Sequence, residues 1–304
     1  MRSEASAQPA EAARRSVRQT VRAYVALAKP RIIWLLLVTT VPAMVLAERG
    51  WPSTWLILAT LIGGTLAAGG ANAINQVADR DIDELMRRTS ARPLPRGNVT
   101  PSRALVFGLA LGAVSAIWLS LTVNLLAAGL AIGALGFYVL VYSYYLKRST
   151  TQNIVLGGAA GAAPPVIGWA AVTGQVGIEP LFLFLIVFYW TPPHFWALAL
   201  VFSDDYERAG VPMLPVVRGE AETKRQIVLY TLMLIGLTLA FTLVGGLSLI
   251  YFLTAVGGGA AFLYLAVRLA RSDGIEDAMP LFHYSIAYLV LLFASVAVDE
   301  LVLG

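Results

Sequence analysis

Hydrophobic positions along this chain fall in long blocks, broken by short or strongly polar stretches. Nine blocks cover roughly 31–47, 53–75, 103–122, 124–145, 153–173, 180–202, 226–246, 249–268 and 280–298. Each approaches the ~20 apolar residues that a helix needs to cross a bilayer. The pattern therefore predicts an all-α, polytopic membrane protein with nine transmembrane helices. Polar connections alternate in length. Those at 48–52, 123, 174–179 and 247–248 are very short, whereas 76–102 and 203–225 are long and charged. One face of the membrane is thus expected to carry the chemistry. The pair Pro192-Pro193 falls inside the sixth block and is expected to kink or break that span.

Composition agrees with this picture. Hydrophobic residues make up 58% of the 304 and charged residues only 13%, with a mean hydropathy of +0.73. A soluble domain has roughly 25% charged residues, so an ordinary cytosolic enzyme is excluded. There is no cysteine, which removes thiol nucleophiles, disulfides and Cys-ligated metals. Two histidines, His194 and His283, are too few for a multi-His metal site.

Charge sets the orientation. With nine spans, all 22 basic residues except Arg49 fall on one side. The positive-inside rule then predicts a cytoplasmic N-terminus, cytoplasmic long loops and an external C-terminus. Residues 1–23, rich in Ala, Ser, Arg and Glu, read as a mobile cytoplasmic arm, and 24–304 as a single membrane domain. The first span leads into further spans, so it reads as retained rather than as a cleaved signal.

The second span ends in Asn75-x3-Asp79-x3-Asp83. Spacing by four lines these three groups along one helix face. Two carboxylates and an amide offer hard oxygen ligands suited to Mg²⁺, which typically joins one or two carboxylates to a substrate's phosphate oxygens. Arginines follow closely. Arg88 and Arg92 are candidates to fork phosphate oxygens, while Arg96 and Arg103 read as topology charges. The fourth span ends in Tyr142-Ser-Tyr-Tyr145-Leu-Lys147-Arg148, and the sixth carries His194-Phe-Trp196 before Asp204-Asp205. An ionisable residue inside a span is a functional candidate by default, which singles out His194.

Taken together, these blocks resemble the UbiA superfamily of intramembrane prenyltransferases, and within it the heme-modifying branch. The resemblance rests on Lys29-Pro-Arg31, Asn75-x3-Asp79-x3-Asp83-x2-Met86-x-Arg88-Thr89-x2-Arg92-Pro, Tyr142-x4-Lys147-Arg148-x4-Asn153, Pro193-His194-Phe-Trp196 and Asp205-Tyr206-x2-Ala-Gly210. It implies a nine-helix bundle around a central cavity open to lipid. It implies transfer of a farnesyl group from farnesyl diphosphate to a vinyl carbon of protoheme IX (heme B), with water added, giving heme O and pyrophosphate. Asn75, Asp79, Asp83 and Asp205 are then expected to hold Mg²⁺, and Arg88, Arg92, Lys147 and Arg148 to hold the diphosphate. His194, Trp196 and Tyr145 are expected near the acceptor. The implied setting is the cytoplasmic membrane, with the lipid bilayer as partner, no nucleic acid, and a downstream heme A synthase. Only one Asp of a second acid row is present, since Val201 and Ala209 flank Asp205 at four residues. A related enzyme acting on a quinone precursor or lipid is the alternative. A secondary transporter would explain the spans and the intramembrane His, but not an acid row with arginines at a polar mouth.

Overall fold

The computed structural model describes residues 17–304, and the first sixteen positions of the expected arm lie outside the described residues. The chain is already helical at Val17, inside the segment read as an arm. This helix, α1 (Val17–Ala28), turns Ala23 and Leu27 inward and leaves Arg18 and Arg22 exposed. Lys29 adopts a left-handed conformation (φ 52°), Pro30 opens the next helix, and the chain bends there into α2 (Pro30–Glu48). Then follow α3 (Thr54–Ala78), the short α4 (Arg80–Leu85) and α5 (Pro101–Thr122).

Asn124 caps α6 (Leu125–Gly136) by accepting from the Ala127 N–H at 2.8 Å. This span continues as a π-helix, Phe137–Leu146, and ends in the single turn α7 (Lys147–Ser149). The next span is made of α8 (Asn153–Gly161) and α9 (Ala163–Thr173), joined at Ala162. After it come α10 (Ile178–Val201), α11 (Ser203–Arg208), α12 (Leu214–Val244, interrupted at Gly219), α13 (Leu249–Arg271) and α14 (Ala278–Leu303). Among the described residues, eight stretches are long and apolar enough to cross a membrane, and α1 with α2 forms a bent ninth.

Of the two outcomes expected for Pro192-Pro193, a break does not occur, because α10 runs through both residues. Two missing N–H donors remove two ladder bonds but leave the backbone helical, and Thr191 donates to the Val187 carbonyl one turn back at 2.8 Å.

Small residues set the helix spacing. A methyl group on Gly70 would stand 2.7 Å from the Gly108 carbonyl oxygen, so α3 and α5 touch backbone to backbone. Ser115 and Trp118 of α5 donate to the Gly63 and Ala59 carbonyls of α3 at 2.7 and 2.9 Å. The largest apolar core joins α10, α12, α13 and α14, and a second fills the space among α2, α3, α5, α6 and α9. The last span lies against the first, α14 on α2, which closes the bundle. An apolar cavity of about 380 Å³ lies there, lined by Leu37, Val41 and Pro42 of α2, Leu61 of α3, and Val290 and Ala294 of α14.

Candidate active site

The polar end of the bundle gathers the acid row. Asn75 stands in the last turn of α3, Asp79 at the joint and Asp83 in α4, and the Asp83 N–H bonds the Asp79 carbonyl at 2.8 Å. The helical path is therefore kept across the joint, and the three side chains share one face. All three are buried; Asp79 and Asp83 are each 1% exposed. Two carboxylates at this spacing repel each other, and cations from three separate segments offset that repulsion.

Lys147, at the end of the π-helical span, reaches Asp79 Oδ2 at 2.5 Å. Arg92, in the loop after α4, lies 2.7 Å from both oxygens of Asp83. Lys29, at the bend between α1 and α2, donates to Asn75 Oδ1 at 3.0 Å. The Asn75 amide nitrogen then donates to Asp79 Oδ2 at 2.8 Å and to Ser143 Oγ at 3.0 Å. Arg92 and Lys147 thus pair with the two carboxylates, and Lys29 brings a third basic group beside them, an arrangement that suits an anionic guest. Asp79 Oδ1 is buried and has no partner among the described residues.

A second carboxylate stands beside this group. Asp205, in α11, accepts from the Arg88 backbone N–H at 3.4 Å and from Arg208. Arg88 also reaches the Tyr206 hydroxyl at 3.4 Å and lies 5.7 Å over the Phe202 ring. The loop after α4 is thereby tied to α11. Among the described residues, no three His, Cys, Asp or Glu side chains converge on one point.

Other expected residues are placed differently. Arg148 turns away from the acid row. It forks both oxygens of Asp81 at 2.7 and 2.8 Å and donates to the Ala78 carbonyl at 2.6 Å. Asp81 is largely exposed, and the Arg148 hydrogen bonds hold its carboxyl down to about 2. Tyr145 is 66% exposed on the outer face of its span, so it does not line an interior pocket. The π-helical segment buries Ser143 and Leu146 instead, and Ser143 meets Asn75.

His194 and Trp196 are buried deeper on α10. The His194 ring is stacked between Trp190 and Phe282, with centroids 4.3 and 4.5 Å away. Its Nδ1 lies 2.7 Å from Ser285 Oγ, whose own proton goes to the Phe282 carbonyl at 2.6 Å, so Nδ1 is the donor. Trp196 stands edge-on to Tyr230.

Sequence reasoning gave no role to Lys29 or Ser143. The available signal for Lys29 was its place directly before the proline that opens a span, in the Lys29-Pro-Arg31 block.

The UbiA prenyltransferase family model matches residues 36–293. A chain from Clavibacter sepedonicus, named protoheme IX farnesyltransferase, is 52% identical over 289 residues, covering 94% of each chain. Among solved structures, one of digeranylgeranylglyceryl phosphate synthase superimposes with a TM-score of 0.76 at 15% identity, over 93% of this chain and 99% of that one. A UbiA homolog from Archaeoglobus fulgidus bound to DMAPP and Mg²⁺ superimposes with a TM-score of 0.64 at 17% identity, over 91% and 99%.

Proposed function

The chain belongs to the UbiA prenyltransferase family, and from that premise we propose how its polar end carries out prenyl transfer. It is an intramembrane enzyme that moves a farnesyl group from farnesyl diphosphate to a vinyl carbon of protoheme IX. Water completes the new side chain, giving heme O, and pyrophosphate leaves. The observation that carries this reading is the cluster of basic side chains, Lys29, Arg92 and Lys147, around the buried Asp79 and Asp83 at the end of an otherwise apolar bundle. An isoprenoid diphosphate has one strongly anionic end and one long apolar end, and both find their medium here. The identity of the C. sepedonicus relative supports heme, rather than a quinone precursor or a lipid, as acceptor.

The donor set suits a divalent metal. Asp79, Asp83 and Asn75 would supply oxygen ligands, and one Asp79 oxygen has no partner among the described residues, which suits the few carboxylates that Mg²⁺ takes beside a phosphate-bearing substrate. Asp205 is a further ligand candidate from the other acid segment. When bound, the metal would supply charge neutralisation to the leaving pyrophosphate.

The chain's own groups do the rest. Lys147 and Arg92, now held by the carboxylates, transfer to phosphate oxygens when the diphosphate arrives, and Lys29 and Arg88 add charge beside them. Negative charge developing on the leaving group is thereby met by cations already gathered at the polar end of the bundle. Arg148 acts at one remove: through Asp81 and the Ala78 carbonyl it holds the end of α3 against α7, so that Lys147 stays in reach of Asp79. Trp196 and His194 lie on the acceptor side.

The membrane is the cytoplasmic membrane, with the acid row on the cytoplasmic face, the C-terminus external, 24–304 acting as one domain, and a heme A synthase consuming the product. Hemes extracted from a host that lacks its own heme O and expresses this chain should include heme O, identified by mass and retention. Unmodified heme B alone would refute the assignment. Cysteines placed at Ser102 and Gln175 in this cysteine-free chain should be labelled from opposite faces, Ser102 from the cytoplasm.

A further inference from the structure

Asn153 opens α8, is 1% exposed, and has a partner for neither its amide nitrogen nor its amide oxygen among the described residues. Burying an unmet donor together with an unmet acceptor costs several kcal/mol in apolar surroundings. Such a group is retained where a guest meets both ends. Its position says which guest. Gly157 lies one turn along the same face of α8, and a methyl group there would stand 2.2 Å from a Tyr142 ring carbon, so this face packs on Tyr142. Ser143, the next residue after Tyr142, accepts from Asn75 of the acid row at 3.0 Å, and Lys147, five residues after Tyr142, holds Asp79. Asn153 therefore sits beside the reacting end of the site. Its neighbours Ile154 and Val155 belong to the same apolar cluster as Trp190 and Trp196.

A diphosphate oxygen only accepts hydrogen bonds, so it would satisfy the amide nitrogen and leave the amide oxygen unmet. Water both accepts and donates. We infer that the Asn153 carboxamide is a positioning residue that holds the water consumed in the reaction. The inference rests on the heme-prenylating reading above. Pyrophosphate leaves with the electron pair of the C–O bond. The vinyl π pair forms the new C–C bond to the farnesyl carbon and leaves a cation on the carbon next to the porphyrin. A lone pair of the held water forms the C–O bond to that carbon. The surplus proton on oxygen passes to the departing pyrophosphate. If the water is not in place, the cation instead loses a proton from the adjacent CH₂ and gives an alkene, lighter than the hydroxylated product by one water.

The test is the product ratio from membranes carrying wild-type, Asn153→Ala, Asn153→Ser or Asn153→Gln protein, given heme B and farnesyl diphosphate in water labelled with heavy oxygen. Wild type should give labelled hydroxylated product. Its failure to prenylate heme at all would refute the reading of function and is separate from the Asn153 question. Asn153→Ala should raise the alkene-to-alcohol ratio by about tenfold or more, the scale of one lost hydrogen-bonded pair, with the KM for farnesyl diphosphate unchanged. Asn153→Ser, whose hydroxyl falls short of the carboxamide, should raise it less, and Asn153→Gln should restore part of the alcohol. Wild-type product ratios in both Asn153→Ala and Asn153→Ser would overturn the proposal. So would a raised KM for farnesyl diphosphate with only alcohol formed, since Asn153 would then be a diphosphate contact.

Discussion

Buried carboxylates occur at both ends of the bundle, and the two ends treat them differently. At the end away from the acid row, Asp299 of α14 accepts from three backbone N–H groups, Ser248, Ile250 and Tyr251, at 2.5, 3.0 and 3.1 Å. These are the free donors at the start of α13, and a carboxylate there is stabilised by hydrogen bonds and by the helix dipole. Its neighbour Glu300 pairs with Arg49, which also donates to the Gly245 carbonyl at 3.0 Å. At the polar end, Asp79 and Asp83 are met by the side chains of Asn75, Arg92 and Lys147, and one Asp79 oxygen has no partner among the described residues. Backbone donors are fixed and saturate their acceptor, so Asp299 is committed to the fold. Lysine and arginine side chains can change partners, so Asp79 and Asp83 stay available to a guest. Equal burial therefore says little about role, and the identity of the donors says more.

The sharpest way to break this contrast is to neutralise each end in turn. Asp79→Asn or Asp83→Asn should lower heme O formation by about two to three orders of magnitude, the scale of losing a group that stabilises developing charge, while the protein still accumulates in the membrane. Near wild-type turnover in either would place the acid row with the structural carboxylates. Lys147→Met should cost about tenfold or more in farnesyl diphosphate kinetics, since a charge-assisted phosphate contact is worth roughly 1.5–3 kcal/mol. Asp299→Ala should act the other way. It leaves the α13 donors unmet and should lower stability by about 1–3 kcal/mol, read as a lower unfolding temperature in detergent, with turnover per folded molecule unchanged.

Arg148→Met should have the smallest kinetic effect, within a few-fold, because Arg148 serves Asp81 rather than the substrate. Its pH behaviour sharpens the point. The folded-state pKa of Asp81 is lowered from 3.8 to about 2. The stabilisation is thus fully present above the ordinary value and is lost only as pH falls through about 2. The ratio of wild-type to Arg148→Met activity should therefore stay flat from neutral pH down to about pH 5.

Much of this was legible in the sequence, for identifiable reasons. Bilayer thickness imposes span length, so blocks such as 53–75 and 249–268 map onto α3 and α13 with only their ends adjusted. The acid row was legible because helix geometry puts every fourth residue on one face, and Lys147 was expected to approach it from another helix, as it does. Tyr145 was misplaced because the turn there is wider than 3.6 residues, and no apolar periodicity announces a π-helix. Arg148 pairs with Asp81 rather than with the acid row, a difference from Lys147 that adjacent basic residues do not announce in sequence. Lys29 entered only through the Lys29-Pro-Arg31 block, without a role of its own, because its partner Asn75 is 46 residues away.

The contact between α2 and α14 has a consequence in time. Arg49 and Glu300, which join these helices, are 251 residues apart. At about 5–20 residues per second of synthesis, roughly ten to fifty seconds separate the appearance of the two partners. Through that interval α2 lacks its neighbour α14, and Arg49 lacks Glu300. Ser285, the partner of His194, arrives on the same late helix. Closure of the ring is thus a late step of biogenesis, and a chain stalled before α14 would hold a complete acid row inside an open bundle.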